Sequence, residues 1–199
     1  MSKHPKLRRG IVVALALLVM SLVPSGASAG TKEGGHCLSP SGLDLNEFYG
    51  VTETIVAPFC TQVGTGESWR VWQAWSMGST FKKVPKGFVP AGSTPLEDFV
   101  AKFIGVKYVV DPGTPQVKTY SFTNVGDVLV LTGARSVLVN PVTLGTLEPL
   151  SVGGHVVDSY WSMSALHCDG VGRVLEDNCL PAGDTFYLHV AFEVTALHN

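Results

Sequence analysis

The chain carries no signature of a familiar catalytic centre. It has no G-x-S-x-G nucleophile elbow, no H-E-x-x-H zinc helix and no phosphate-binding glycine loop. No C-x-x-C spacing joins its 4 cysteines, so thiolate metal binding has no support. Charge is scarce, at 15% of residues, and shows no basic patch, which leaves nothing to recognise nucleic acid. No internal repeat is visible, and no linker rich in Pro, Gly or Ser divides the chain. The main apolar run, Ile11 to Val23, holds roughly 13 residues, short of the ~20 that cross a bilayer.

That run has a meaning of its own. Lys3, Lys6, Arg8 and Arg9 precede it, and Ala27-Ser28-Ala29 supplies small residues after it. Residues 1–29 therefore read as a secretory signal peptide, with an uncleaved anchor as the alternative. Arg8-Arg9 loosely resembles a twin-arginine export signal, although plain signals often carry two arginines. No cysteine stands at the cleavage site, which argues against a lipoprotein. Four of the 14 basic residues lie in the signal and none of the 16 acidic ones, so the mature chain carries a net charge of −6. The expected location is secreted, extracellular or associated with the cell envelope, with no transmembrane segment once the signal is removed.

An even number of cysteines suits an oxidising compartment. Three pairings are open, and the sequential one, Cys37–Cys60 with Cys168–Cys179, is favoured. Closing a loop as short as 168–179 removes roughly 3 kcal/mol of unfolded-chain entropy in the chain-entropy model.

The stretch 153–195 organises the rest. Phe186, Leu188, Val190, Phe192 and Val194 alternate with Tyr187, His189, Ala191, Glu193 and Thr195. Period two predicts a strand with the first set on one face. Val157, Trp161, Met163 and Ala165 share one parity in the preceding run, with Asp158, Tyr160, Ser162 and Ser164 on the other. A strand is again predicted; a short helix is the alternative, disfavoured by its serines. Together the two runs read as a long hairpin whose tip is closed by Cys168 and Cys179.

Earlier in the chain, residues 30–50 look irregular, and 51–199 form one domain. A strand is expected between Val51 and Val63, with Pro58 marking an edge or a break. Another is expected over Trp69–Trp75. Thr94-Pro95-Leu96-Glu97 is a capping-box pattern that predicts a short helix. Ile104, Val106, Tyr108 and Val110 alternate as a strand, Asp111-Pro112-Gly113-Thr114 is a turn, and Val117 to Phe122 returns. Further strands are expected at Asp127 to Leu131 and at Val137 to Val139 or Val142 to Leu147. About seven to nine short strands with regular turns predict an all-β fold, an antiparallel immunoglobulin-like β-sandwich with one short helix.

The phrases FVPAGSTPLEDFVAKFIGVKYVVDPGT, YWSMSALHCDGVG and NCLPAGDTFYLHVAFEVT resemble a group of small secreted actinobacterial proteins with no assigned activity. The run LSVGGHVVDSYW resembles the penultimate strand of bacterial immunoglobulin-like domains. The resemblance implies a sandwich and transfers no catalytic residue.

Candidate site residues are few. Trp69, Trp72 and Trp75 offer a stacking platform for sugars, set against ordinary core packing. His167, beside Cys168 and Asp169, is the best-placed histidine for catalysis, set against a plain strand-end residue. Asp169, Glu176, Asp177 and Asp184 could supply oxygen ligands to Ca²⁺, but their spacing matches no calcium loop. The favoured expectation is a non-catalytic module, without cofactor, that binds an unknown protein, glycan or cell-envelope partner. A carbohydrate-binding module is the alternative, and an unrecognised hydrolase built on His167 the second.

Overall fold

Gly153–Met163 and Gly183–Thr195 pair antiparallel along nearly their whole length and form the centre of the molecule. The structure is a computed structural model, and it describes residues 36–123, 128–131, 136–139 and 147–196. The expected signal peptide, the start of the irregular segment and most of the 142–147 strand lie outside the described residues.

In chain order the elements are α1 (Leu45–Tyr49), β1 (Thr54–Val56), β2 (Gln62–Gly64), β3 (Trp69–Val71) and β4 (Ala74–Ser76). Next come α2 (Pro95–Lys102), β5 (Phe103–Val110), β6 (Lys118–Phe122), β7 (Leu129–Leu131) and β8 (Ser136–Val139). Last are β9 (Gly153–Met163), β10 (His167–Cys168), α3 (Leu175–Asn178), β11 (Cys179–Leu180) and β12 (Gly183–Thr195).

The main sheet has 5 strands in the order β2-β12-β9-β5-β6. β2 joins the edge of β12 in parallel, and the other pairings are antiparallel. β4-β8-β7 form a 3-stranded sheet, and β1 pairs with β3 in parallel. This overturns the expected antiparallel immunoglobulin-like sandwich. The fold is mostly β, but its large sheet is mixed and curled like half a barrel. Periodicity finds strands; it does not tell which strands pair or in which direction.

Two bulges interrupt the main sheet and reverse the expected facing of two residues. In β12 the register slips between Phe186 and Leu188, so Tyr187 is the extra residue. Leu188, Val190, Phe192 and Val194 face inward as the alternation predicts. Phe186 does not: it turns out to solvent at 53% exposure, and Tyr187 packs inward against Trp75 and Trp161. In β5 the slip lies between Phe103 and Gly105, leaving Ile104 as the extra, exposed residue and Phe103 buried. Gly105 is required there, because a Cβ would stand 2.1 Å from the Phe122 carbonyl oxygen on β6.

The capping box sets the start of α2. Thr94 Oγ1 accepts from the Glu97 N–H, and the Glu97 carboxylate accepts from the Thr94 N–H. Phe99 and Phe103 then stack at 5.5 Å and meet Trp161 edge-on, which welds α2 to β9. Each such fully buried apolar side chain contributes about 1.5–3 kcal/mol. The core gathers residues from both larger sheets around Trp69, Trp161 and Phe99.

The N-terminal end of the described chain is more ordered than its composition predicts. Asp44 caps α1, accepting from the Glu47 N–H at 3.1 Å, and Gly50 closes it in the left-handed region. Buried Asn46 accepts from Cys37 N–H and donates to Glu53 O, both at 2.9 Å. Cys37, Leu45, Val51, Ile55 and Ala57 form a small second core. The bonds Cys37–Cys60 and Cys168–Cys179 close the chain in the sequential pairing.

Candidate functional site

The tryptophan platform expected at Trp69, Trp72 and Trp75 does not form. The single strand expected over Trp69–Trp75 is broken at Trp72 and Gln73 into β3 and β4. Trp69 is fully enclosed, donates to Glu148 O at 2.9 Å and leans on Phe192. Trp72 and Trp75 are half-buried and meet Phe59 and Tyr187 edge-on. No flat face is shared.

Phe186, which the alternation groups with the inward-facing residues of β12, and Tyr160 form an aromatic pair on the outer face of the main sheet. Their rings meet at 5.7 Å in a T-shape. Lys107 lies over Tyr160 and pairs with Asp184, which also accepts from Ser162.

The four acids proposed for calcium are dispersed. Asp169 is buried and accepts from Val171 N–H at 2.8 Å and from Asn178 at 3.2 Å. Glu176 and Asp177 lie exposed on α3, and Asp184 faces Lys107. Among the described residues no group of three or more His, Cys, Asp or Glu side chains converges as a metal site.

Sequence spacing hid a regularity of the histidines. Each described histidine sets Nδ1 against an aspartate: His36 on Asp44, His155 on Asp111, His167 on Asp98 and His189 on Asp158, at 2.7–2.8 Å. Two of these pairs organise opposite ends of β9.

His155 and Asp111 sit where β9 meets the β5–β6 turn. Asp111 adopts a positive φ of 51°, accepts from Val156 N–H at 3.0 Å, and donates its own N–H to Val156 O. His155 Nε2 faces Ser151 O at 2.9 Å. Both ring nitrogens thus meet acceptors, an environment satisfied in full only by the doubly protonated ring. Burial pulls His155 toward the neutral form. The hydrogen bonds to Asp111 and Ser151 and the charges of Asp111 and Glu193 outweigh it, and the pKa is raised. A cavity of about 370 Å³ opens beside this pair, lined also by Thr114, Gln116, Lys118 and Gly153. A ring with both nitrogens engaged has no lone pair to act as a base there.

His167 is fully enclosed, as is Asp98. Asp98 accepts from His167 Nδ1 at 2.8 Å, Lys102 Nζ at 2.6 Å and Ala91 N–H at 2.6 Å. Burial pushes the Asp98 carboxyl up, but these donors more than offset it and hold it below the usual carboxylate range. Lys102 donates further to Leu166 O and Val89 O and lies over the Phe88 ring. His167 Nε2 has no partner and no route to solvent, so a substrate cannot touch it in this structure.

What this buried cluster holds is a loop. Residues 77–94 connect β4 to α2 without regular structure, longer than the ~12–15 residues at which unstructured loops become uncommon. Ala91 and Val89 are the loop residues tied to Asp98 and Lys102. The loop also abuts the Cys168–Cys179 segment. Gly78 N–H donates to Asp169 O at 2.6 Å, and a Cβ on Gly170 would stand 2.3 Å from Thr80 O.

The loop exposes Lys82, Lys83 and Lys86. This corrects the expectation of no basic patch. No acidic residue occurs between Glu67 and Glu97, a signal visible in the sequence. Arg70, Lys102, Lys107 and Lys118 each pair with a carboxylate, whereas these three lysines make no ion pair among the described residues.

No protein-family model, no curated protein and no solved structure matches this chain. No helix among the described residues is long and apolar enough to cross a membrane.

Proposed function

We propose that this chain is an exported, disulfide-braced, non-catalytic binding module of the cell surface or its surroundings. Its working face is the pair of loops 77–94 and 169–178. The observation that carries this is the buried Asp98–Lys102–His167 cluster. Burying an ion costs several kcal/mol, and an apolar core of similar volume would be as stable or more so. Here the ions hold the backbone of a loop that has no ladder of its own to hold it. Such an arrangement suits a surface that must keep one shape. The two disulfides and the mostly β fold are compatible with an oxidising compartment outside the cytoplasm.

The test is retention on isolated cell envelopes. The purified chain should sediment with them. Replacing residues 82–89 by a Gly/Ser segment of equal length should abolish this while both disulfides still form. Equal retention of the two proteins rules the reading out.

A second reading is favoured by Phe186 and Tyr160. An exposed aromatic flanked by Asp184, Ser162 and Lys107 is the composition of a sugar-binding strip, moved from the tryptophans to the outer face of the sheet. A glycan array with wild type and Phe186→Ala checks it: binding lost in the variant supports glycan recognition, and no glycan bound removes it.

A further inference from the structure

We propose that the loop 82–89 docks on an anionic bilayer surface, through its lysines and one protruding apolar side chain. This rests on the binding-module reading and names its partner.

Three features point to a membrane surface and not to a soluble polyanion. First, charge and apolar residues interleave: Phe81, Lys82, Lys83, Val84, Lys86, Phe88, Val89. A polyanion needs only the cations. Second, Val89 is 77% exposed, more than any other large hydrophobic residue described, although its own carbonyl is anchored by buried Lys102. Behind it, Phe81 and Phe88 contact each other at 5.4 Å and stay half-buried, which stiffens the base of the loop. Third, the neighbouring disulfide loop adds exposed aliphatic side chains beside the lysine loop. Val171, Val174 and Leu175 are about half exposed there, around Arg173. Aliphatic side chains among basic ones are the arrangement that seats a protein at the headgroup boundary.

The acids near this face are accounted for. Glu97 is held in the capping box, and Asp98 and Asp169 are buried. Glu176 and Asp177 are exposed on α3 and oppose the attraction. The mature chain is acidic as a whole, so approach must be directional. The lysine loop faces the anionic surface, and the remaining negative charge stays away from it.

The experiment is co-sedimentation of the mature protein with vesicles of phosphatidylcholine alone or mixed with phosphatidylglycerol, at low and physiological salt. Binding is expected only to the anionic vesicles and should weaken with salt. Each lysine near such a surface is worth about a five-fold change in affinity, so Lys82→Ala/Lys83→Ala/Lys86→Ala should lose on the order of 100-fold. Val89→Ser should lose several-fold with the lysines intact. The control Lys118→Ala, at the other end of β9, should bind as wild type. Glu176→Gln with Asp177→Asn should tighten binding. Failure to bind anionic vesicles overturns the proposal, as does equal binding to neutral ones or a triple variant that binds as well as wild type. Polyphosphate binding without vesicle binding also overturns it. Envelope retention that still requires the loop would then leave the binding-module reading standing. Loss of loop-dependent envelope retention as well would remove both.

Discussion

Two aspartate–histidine pairs stand at the two ends of β9, and they behave differently because of what surrounds them. At the Asp111 end the pair is nearly alone. His155 supplies the positive charge, and its second nitrogen is taken by a carbonyl beside an open cavity. At the Asp98 end, Lys102 supplies the positive charge, the site is sealed, and the histidine is one of three donors around a carboxylate. The same two side chains thus make a proton-dependent clasp beside a cavity in one place and, joined by Lys102, a sealed anchor in the other. Local partners and solvent access, not residue identity, set the role.

The largest contrast should come from removing the two carboxylates in turn. Asp98→Ala strands the Lys102 ammonium in the interior, and a loss of about 3–5 kcal/mol is expected in urea denaturation. Asp111→Asn, next to a cavity that water can enter, should lose only about 1–2 kcal/mol. Similar losses from both would erase the distinction between clasp and anchor.

Opening Cys168–Cys179 by paired alanine substitution comes next, with a loss of roughly 3 kcal/mol in thermal unfolding. Because β10 also carries His167, limited proteolysis should cut this variant within 169–178 and within 77–94. Cleavage within 169–178 alone would mean the two loops are held independently.

The pH response sharpens the comparison further. The His155 pKa is raised in the folded chain. Its contribution to stability is therefore complete below the unfolded value of ~6.5 and is lost as pH rises through the folded value. Urea midpoints between about pH 5.5 and pH 9 should show this loss in wild type, and Asp111→Asn should flatten it. A slope unchanged in the variant would assign the pH response to another group. Smallest of all, Phe186→Ala should lose about 0.5–1 kcal/mol, the worth of its edge contact with Tyr160, since the rest of the ring faces solvent. A larger loss would mean that the outward face of β12 packs against more than Tyr160.

Much of the local structure could be read before any coordinates. The capping box at Thr94, the turn at Asp111 and the long ribbon ending in Thr195 follow from short-range rules, and each is present. The sandwich was not there to be read. A parallel edge pairing of β2 with β12 joins residues over a hundred positions apart, and no periodicity records it. Bulged Ile104 and Tyr187 invert facing by one residue each, so strict alternation puts Phe186 on the inner face and Tyr187 on the outer, the reverse of what is found. The aspartate partners of His155 and His167 lie 44 and 69 residues away, beyond any motif spacing. The lysine loop is legible as an acid-free stretch from Ser68 to Leu96, although the low overall charge masks it.

β12 follows every other described strand along the chain, yet it lies between β2 and β9 in the sheet. A chain emerging from its N-terminus cannot assemble that sheet until this last segment arrives. Until then β2 has no neighbour in the main sheet, and β9 has only β5. Late arrival of this internal strand leaves one long edge of β9 unpaired until β12 is made, an exposed template for mispairing during folding.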